Sequence, residues 1–220
     1  MSGTLQWKAR SLSAADKLLA AGAELFSSHG YSATTVESVA LKAGVNKALV
    51  SYHFGGKRGL YLAVRGEILE LLLKTTAGRP ATGFSNGLEI SLLLERLTLA
   101  LVKRPLVARS VLRETLGDGP PPEDGITVLE QLTEQVAEIV LATVPGTGSD
   151  PRAVRQHSRS ALVMLLDQAS QGGDAASLKR THSAIMTVLA VVPALPPGRR
   201  SAAAARSRPC LPGRPPGSLI

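Results

Sequence analysis

Residues 34–57 carry the run TTVESVALKAGVNKALVSYHFGGK, which holds the most specific structural pattern in the chain. Its start, Thr34-Thr35-Val36-Glu37, has the T-x-x-E spacing of a helix capping box and predicts a short helix that ends at Gly44. Asn46 is a favourable N-cap for a second short helix that ends near Phe54, before a Gly-Gly pair. Two short helices joined by a glycine-containing turn predict a helix-turn-helix, in which the first helix braces the second in the major groove of DNA.

Capping motifs and apolar stripes also predict helices on both sides of this run. A helix is predicted from Ser13, where Ser13 and Asp16 have S-x-x-D capping spacing, to Gly30, and a longer helix from about Lys57 to Thr75. Apolar stripes at helical spacing predict further helices over about 88–103, 106–116, 129–140, 151–171 and 175–192. No segment has the alternation of a strand, so the predicted class is all-α.

The helical patterns and the composition divide the chain into three parts. We expect an N-terminal three-helix domain over residues 12–72, with its helix-turn-helix at about 35–54. A larger helical domain is expected over residues 73–193. Residues 194–220, with six prolines and five arginines, are expected to be a disordered basic tail.

Basic charge is concentrated at the two ends of a chain whose net charge is +8. Residues 1–60 carry seven Lys/Arg against three Asp/Glu, and residues 194–220 carry five arginines and no acidic residue. Such ends contact nucleic acid or an anionic membrane surface, or are only solvated surface, and charge alone does not decide among these. The longest apolar run, residues 161–166, is far shorter than the roughly 20 residues of a membrane span. The single cysteine, Cys210, forms no intramolecular disulfide, so a cytoplasmic protein without a metal site is expected.

The residues around the helix-turn-helix resemble a known family. They are Ala23-Glu24-Leu25-Phe26, Gly30-Tyr31, Thr34-Thr35-Val36, Ala40, Ala43-Gly44-Val45, Lys47, Tyr52-His53-Phe54 and Lys57. Together they resemble the N-terminal domain of the tetracycline-repressor (TetR) family of bacterial transcription regulators. The resemblance implies a homodimer whose N-terminal domains bind a near-palindromic operator in double-stranded DNA. It also implies that the C-terminal domains bind a small inducer, and it implies a location at the nucleoid.

Side-chain chemistry divides the expected DNA contacts into two groups. Four residues on the early, non-core part of the recognition helix are expected to contact bases: Lys47, Ala48, Leu49 and Ser51. Lys47 can donate to guanine, whereas Ala48 and Leu49 can contact only apolar groups such as a thymine methyl. Five residues at helix ends are expected to hold phosphates: Thr34, Thr35, Tyr52, His53 and Lys57.

Departures from the family pattern leave an alternative open. Ser51 stands where the family often has an aromatic residue, and Gly59 lies inside the predicted fourth helix, where glycine costs about 0.5–1 kcal/mol relative to alanine. These residues favour a small-molecule-binding or scaffold protein with a vestigial DNA-binding domain. The intact set from Thr34 to Lys57 favours a DNA-binding regulator. The resemblance to the family implies that this regulator is a repressor which an inducer releases from its operator. An enzyme is disfavoured because no nucleophile or acid/base cluster is found.

The residue types in the C-terminal part of the sequence predict an apolar ligand and a dimer seam formed by helices. Only one aromatic residue, Phe84, follows Tyr61, so an aromatic cage for a planar cation is not expected. The pocket of a flexible, apolar inducer is expected to be lined by Leu97, Leu101, Val111, Leu132, Val136 and Met164, with Arg109, Arg113 and Glu114 at its rim or solvated. The dimer seam is expected to use Ser158, Ala161, Leu162, Leu165, Ala169, Ile185 and Leu189. No cofactor is expected.

Overall fold

The computed structural model describes residues 13–77, 88–122, 125–143 and 150–172, together with Ser183. Within these ranges the chain forms eight helices and no strand: α1 (Ala14–His29), α2 (Val36–Ala43), α3 (Ala48–Phe54), α4 (Lys57–Thr76), α5 (Leu88–Val102), α6 (Pro105–Thr115), α7 (Val128–Thr143) and α8 (Pro151–Ser170). The all-α prediction is confirmed. None of these helices is long and apolar enough to cross a membrane. The predicted helix at about 175–192 and the tail at 194–220 lie outside the described residues.

Polar caps and a glycine turn define the N-terminal helices where the sequence predicted. Ser13 caps α1: its hydroxyl accepts the N–H of Asp16 at 3.2 Å, and the Asp16 carboxylate accepts the N–H of Ser13 at 3.0 Å. The side chain of Asn46 accepts the N–H of Ala48 at 2.9 Å and so caps α3. Gly44 ends α2 with a φ of 65°, the left-handed conformation that glycine adopts without a steric penalty.

The capping box of α2 is shifted by one residue from its predicted place. Thr35, not Thr34, is the N-cap, and its hydroxyl accepts the N–H of Ser38 at 3.1 Å. The hydroxyl of Ser38 accepts the N–H of Thr35 at 3.1 Å, the role expected of Glu37. The shift follows from a buried bond, because the Thr34 hydroxyl donates to the carbonyl of Gly30 at 2.7 Å and cannot cap the helix.

One continuous apolar core joins the N-terminal helices to the rest of the chain. Helix α1 packs against α2, α3, α4 and α6, and α4 also packs against α5 and α7. Leu18 in α1 and Leu72 in α4 are fully buried, and Leu60 is 1% exposed. Each such leucine stabilises the fold by about 1.5–3 kcal/mol. Helices α1 and α4 therefore join the N-terminal helices to the helices that follow α4.

The face of α8 that was expected to form the dimer seam is buried within the chain. Helix α8 packs against α6 and α7, and Ser158, Leu162 and Leu165 on that face are at most 1% exposed. Ala161 and Ala169 are buried with them. These side chains already belong to the core of one subunit, so their assignment to a seam between subunits is wrong. Ile185 and Leu189 lie outside the described residues.

Candidate nucleic-acid interface

The recognition helix α3 is anchored by one side chain and leaves the others accessible. Val50 is fully buried and holds the helix against the core. Lys47, Ala48 and Ser51, three of the four expected base contacts, are exposed. Leu49, the fourth, is half-buried and packs against the core, so only part of its side chain is free to contact a base.

Of the five expected phosphate contacts, three are exposed, Lys57 is half-buried and Thr34 is buried. Thr35, Tyr52 and His53 are exposed, and Tyr52 reaches 81%. Thr34 is only 2% exposed, and its hydroxyl is engaged with the carbonyl of Gly30. The structure does not support the phosphate contact expected of Thr34, whose side chain instead holds the turn that precedes α2.

Lys57 lies where an anion would be attracted to the start of α4. Its ammonium is 4.2 Å from the centroid of the Tyr31 ring and 3.5 Å from the carbonyl oxygen of Ser32. No side chain caps α4 at Gly56, so the first amide N–H groups of this 20-residue helix are left for another acceptor. A helix N-terminus with a lysine beside it suits a phosphate group.

Glu37 is a member of this surface that the sequence analysis missed. Its carboxylate lies 3.5 Å from the ammonium of Lys47, and both side chains are about two-thirds exposed, at 66% and 68%. The pKa of Glu37 is lowered by a hydrogen bond to its own backbone N–H and by Lys47. The T-x-x-E spacing predicted a capping role for Glu37, whereas its pairing with Lys47 depends on how the turn places α3 relative to α2. This pair must open before Lys47 can donate to a base.

Gly59 is required where the recognition helix meets α4. A Cβ atom at Gly59 would lie 1.7 Å from the carbonyl oxygen of Phe54, the last residue of α3. Real Cβ atoms do not come so close to backbone, so any other residue would displace α3 from α4. The glycine that the sequence suggested as a weakness of the helix thus permits the close approach of the recognition helix.

Residues 18–64 match the family model described as bacterial regulatory proteins, tetR family. This match covers about a fifth of the chain, so the similarity to the TetR family lies in the N-terminal domain. The transcriptional regulator RutR of Escherichia coli (strain K12) is 39% identical to it over 67 residues, which are 30% of this chain and 32% of RutR. The chain thus matches about a third of the length of this relative.

Solved structures extend the likeness from the domain to the fold. A TetR family transcription regulator from Marinobacter aquaeolei VT8 has a TM-score of 0.61 and 17% identity, and the match covers 80% of this chain and 94% of that one. BioQ, solved with its double-stranded DNA operator, has a TM-score of 0.53 and 19% identity over 80% of this chain and 98% of that one. The TetR fold, an N-terminal helix-turn-helix domain followed by a helical domain, therefore accounts for most of the chain.

The TetR domain is tied to α6 by Arg113, which was expected at a pocket rim or in solvent. Its guanidinium donates to the carbonyls of Ser27 and Ser28 at the end of α1, at 3.0 and 2.9 Å. It also pairs with Asp118 at 3.0 Å, and Asp118 accepts the N–H of Tyr31 at 3.1 Å. The end of α1 is thereby fixed to the end of α6.

A second, more deeply buried pair ties α4 to α6 and α7. Arg65 and Glu114 lie 2.7 Å apart with side chains only 13% and 9% exposed. Glu114 also accepts the N–H of Val128 at 3.2 Å, and Arg65 donates to the carbonyl of Ile126. Glu114 was expected at a pocket rim, and its burial within this network corrects that expectation.

Three aromatic rings fill the space between the Arg113–Asp118 and Arg65–Glu114 ion pairs. The Tyr61 ring meets Phe26 and Tyr31 edge-on, with centroids 5.3 and 5.1 Å away. Its hydroxyl donates to the carbonyl of Asp118 at 3.3 Å. Burial, reinforced by the nearby charges of Glu114 and Asp118, raises the pKa of Tyr61 to about 12. The hydroxyl therefore keeps its proton, and its hydrogen bond, throughout the neutral pH range.

A cavity of about 450 Å³ lies between α1, α4 and α6 of the TetR fold. Its lining residues are Ala23, Val64, Glu67, Ile68, Glu70, Leu71, Lys74, Arg104, Leu106, Val107 and Ser110. None of the six residues expected to line an inducer pocket is among them. Four of those, Leu97, Leu101, Leu132 and Val136, are at most 2% exposed in the core.

The other two expected lining residues lie elsewhere. Val111 borders a separate space of only about 20 Å³, and Met164 is 44% exposed on the outer side of α8. Arg109, expected at the rim, donates to the carbonyl of Ser170 at the end of α8, at 2.9 Å. An apolar stripe in the sequence indicates burial, but it does not tell a packed core from the wall of a cavity.

Proposed function

We propose that the protein is a sequence-specific DNA-binding transcription regulator, and that it acts as a repressor which a small-molecule inducer releases from its operator. The observation that carries this proposal is the recognition helix. Val50 anchors it, and Lys47, Ala48 and Ser51 are exposed on it. A scaffold protein would not need an accessible row of this kind beside a phosphate-suited helix start at Lys57.

The mode of DNA binding follows from the two groups of contacts. Lys47 donates to a guanine, Ala48 and the exposed part of Leu49 contact apolar base groups, and Ser51 donates or accepts. Thr35, Tyr52, His53 and Lys57 hold phosphates and fix the register of the helix, together with the free N–H groups at the start of α4. In this scheme residues 12–72 contain the DNA contacts, and residues 73–193 bind the partner subunit and, together with α1 and α4, the inducer. The protein acts at the nucleoid in the cytoplasm without a catalytic role.

A homodimer would place two recognition helices about 34–36 Å apart on a near-palindromic, double-stranded operator. The inner face of α8 is buried in the core, so its outer face, with Met164 44% exposed, is the part of α8 free for a partner subunit. Met164→Glu should give a monomer of normal helix content by sedimentation and circular dichroism. Leu165→Glu, one residue away but fully buried, should instead lose helix content. An unaltered dimer of Met164→Glu would contradict this placement.

The inducer is proposed to act by preferring one arrangement of α6 against α1 and α4. A ligand shifts a conformational equilibrium only by its difference in affinity for the two states. The contacts of Arg113 with α1 and of Arg65 with Glu114 transmit a displacement of α6 to the TetR domain. The separation of the two recognition helices changes as a result.

Selection of bound sequences from random double-stranded DNA tests the proposal directly. The full chain should enrich a near-palindromic sequence, and a Lys47→Ala/Leu49→Ala double variant should lose that enrichment while keeping its helix content. A selection that yields no sequence above background would favour the alternative, a small-molecule-binding or scaffold protein with a vestigial DNA-binding domain.

A further inference from the structure

We propose that the cavity between α1, α4 and α6 binds an amphiphilic organic cation, with its aliphatic body against the cavity wall and its ammonium group against Glu67. This inference rests on the proposed function, because it names the chemical class of the inducer and the place where it binds. The site is distinct from the set of core residues that the sequence predicted.

The wall of the cavity suits an aliphatic chain. Six of its lining residues are aliphatic: Ala23, Val64, Ile68, Leu71, Leu106 and Val107. The lining residues include no aromatic ring, so a flat aromatic cation would find no stacking partner there. A volume of about 450 Å³ is in the range of small-molecule pockets and holds a chain of several methylenes.

Two exposed carboxylates, Glu67 and Glu70, line the cavity together with the basic side chains of Lys74 and Arg104. Glu70 pairs with Lys74 one turn along α4, so its charge is balanced. In the described part of the chain, no basic side chain lies within 4.0 Å of the carboxylate of Glu67. Burial raises the pKa of Glu67, and the charges of Asp16 in α1 and Glu70 in α4 raise it further. An ammonium group would supply the opposite charge that this partly shielded carboxylate lacks.

Of the two basic lining residues, Lys74 is paired with Glu70, and the half-buried Arg104, just before α6, is the one that could favour an anion instead. It does not reach Glu67 to form an ion pair, so the two charges lie at separate places on the cavity wall. Glu67 lies close enough to two further carboxylates, those of Asp16 and Glu70, to feel their charge, so the cavity wall around it attracts a cation. Comparing the cation with an anionic amphiphile of equal length therefore decides the sign of the charge that the cavity prefers.

The position of the cavity gives its occupant a role in DNA binding. Ala23 belongs to α1, Val64 to α4 and Val107 to α6, so one ligand contacts all three helices. Filling the space between them favours the arrangement in which α6 is held apart from α1 and α4. The occupied state therefore differs from the empty state in the helices that carry the recognition helix.

Calorimetric titration of the full chain with three probes of equal length tests the ligand class. The probes are n-octylammonium, 1-octanol and octanoate. We expect n-octylammonium to bind most tightly, and affinity to rise about fourfold per methylene from butyl- through hexyl- to octylammonium. Octanoate binding as tightly as n-octylammonium, or an affinity independent of chain length, would overturn the proposal.

Matched variants test the site. Glu67→Gln should weaken binding of n-octylammonium about threefold or more while leaving 1-octanol unchanged. Glu95→Gln, the same change at an exposed position of α5 outside the cavity lining, should bind both probes as the unaltered chain does. Ser110→Phe should fill the cavity and abolish binding of both. If Glu67→Gln left the affinity for n-octylammonium unchanged, the assignment of the ammonium site to Glu67 would be wrong. This result does not depend on whether the Ser110→Phe variant folds.

Fluorescence anisotropy with the selected DNA separates this inference from the proposed function. Release of DNA by n-octylammonium, but not in Glu67→Gln, is the expected result. A chain that binds DNA but not n-octylammonium would refute the ligand class alone. A chain that binds n-octylammonium through Glu67 but binds no DNA would refute the regulator and leave the site standing.

Discussion

The surface proposed to face DNA (the DNA-facing surface), which carries Glu37, Lys47 and Tyr52, contains an ion pair, and so does the junction of α1, α4 and α6. The two pairs differ in burial. Lys47 and Glu37 lie 3.5 Å apart with side chains 68% and 66% exposed, whereas Arg65 and Glu114 lie 2.7 Å apart at 13% and 9%. An exposed pair exchanges readily with water or phosphate. A buried pair cannot open without leaving an uncompensated charge. The first can therefore yield to DNA, while the second determines how the two halves are held together.

The largest effect is expected from breaking the buried pair. Arg65→Met should lower the free energy of unfolding by about 3–5 kcal/mol, because Glu114 would stay buried without its partner. Urea denaturation followed by circular dichroism measures this loss. Arg155→Met, which breaks an exposed pair with Glu134, is the control and should leave the midpoint almost unchanged. Equal losses in the two variants would show that burial does not distinguish these ion pairs.

A second effect is expected where the two regions meet. Gly59→Ala should destabilise the protein by about 1–3 kcal/mol, because its Cβ atom would clash with the carbonyl of Phe54. It should also weaken DNA binding, since α3 would be displaced. Gly66→Ala lies in the same helix with nothing within 4 Å of its Cβ, and should stabilise by about 0.5–1 kcal/mol. If both variants were stabilised, the inference that only glycine at position 59 permits the close approach of α3 to α4 would be wrong.

On the DNA-facing surface, two variants separate base contacts from phosphate contacts. Leu49→Ala should change the preferred base at one position of each half-site, by about 1–3 kcal/mol. Lys57→Ala should weaken binding to all sequences about equally and reduce the salt dependence by roughly one unit of slope. Sequence selection and salt titration measure the two effects. A uniform loss in both variants would remove the distinction between the two groups.

The smallest effect is expected from the exposed pair. Glu37→Gln should raise DNA affinity about twofold at low salt, because Lys47 no longer leaves a carboxylate when it contacts a base. Anisotropy titrations at two salt concentrations show the gain and its loss by screening. In a Lys47→Ala background, Glu37→Gln should raise DNA affinity by less. If it raised DNA affinity by the full twofold there, the gain would come from the loss of general repulsion between Glu37 and DNA.

Local signals in the sequence sufficed for most helix boundaries. The caps at Ser13 and Asn46 and the turn at Gly44 depend on residues within three positions of each other, so the sequence alone predicted them. The exception is the start of α2. There the buried bond from Thr34 to Gly30 depends on how α1 packs, and it moves the cap to Thr35.

The junction and the cavity could not be predicted in the same way. Arg113 contacts Ser27 and Ser28, which are 86 and 85 positions away in the sequence, and no pattern within one helix marks such a pair. Likewise, the stripe that contains Leu165 correctly indicated burial. Whether the covering surface belongs to the same chain or to a partner is a matter of tertiary packing, and here it belongs to the same chain.

The placement of the three tyrosines gives each region its own optical reporter. Tyr31 and Tyr61 are locked in ring contact at the junction, whereas Tyr52 is 81% exposed on the DNA-facing surface. Fixed, asymmetric packing makes an aromatic ring visible in near-ultraviolet circular dichroism, and packing of this kind is lost when tertiary structure loosens. With Trp7, the only tryptophan, replaced by phenylalanine, the near-ultraviolet signal follows the junction. The difference in tyrosine emission between this variant and one that also carries Tyr52→Phe follows Tyr52 as DNA approaches.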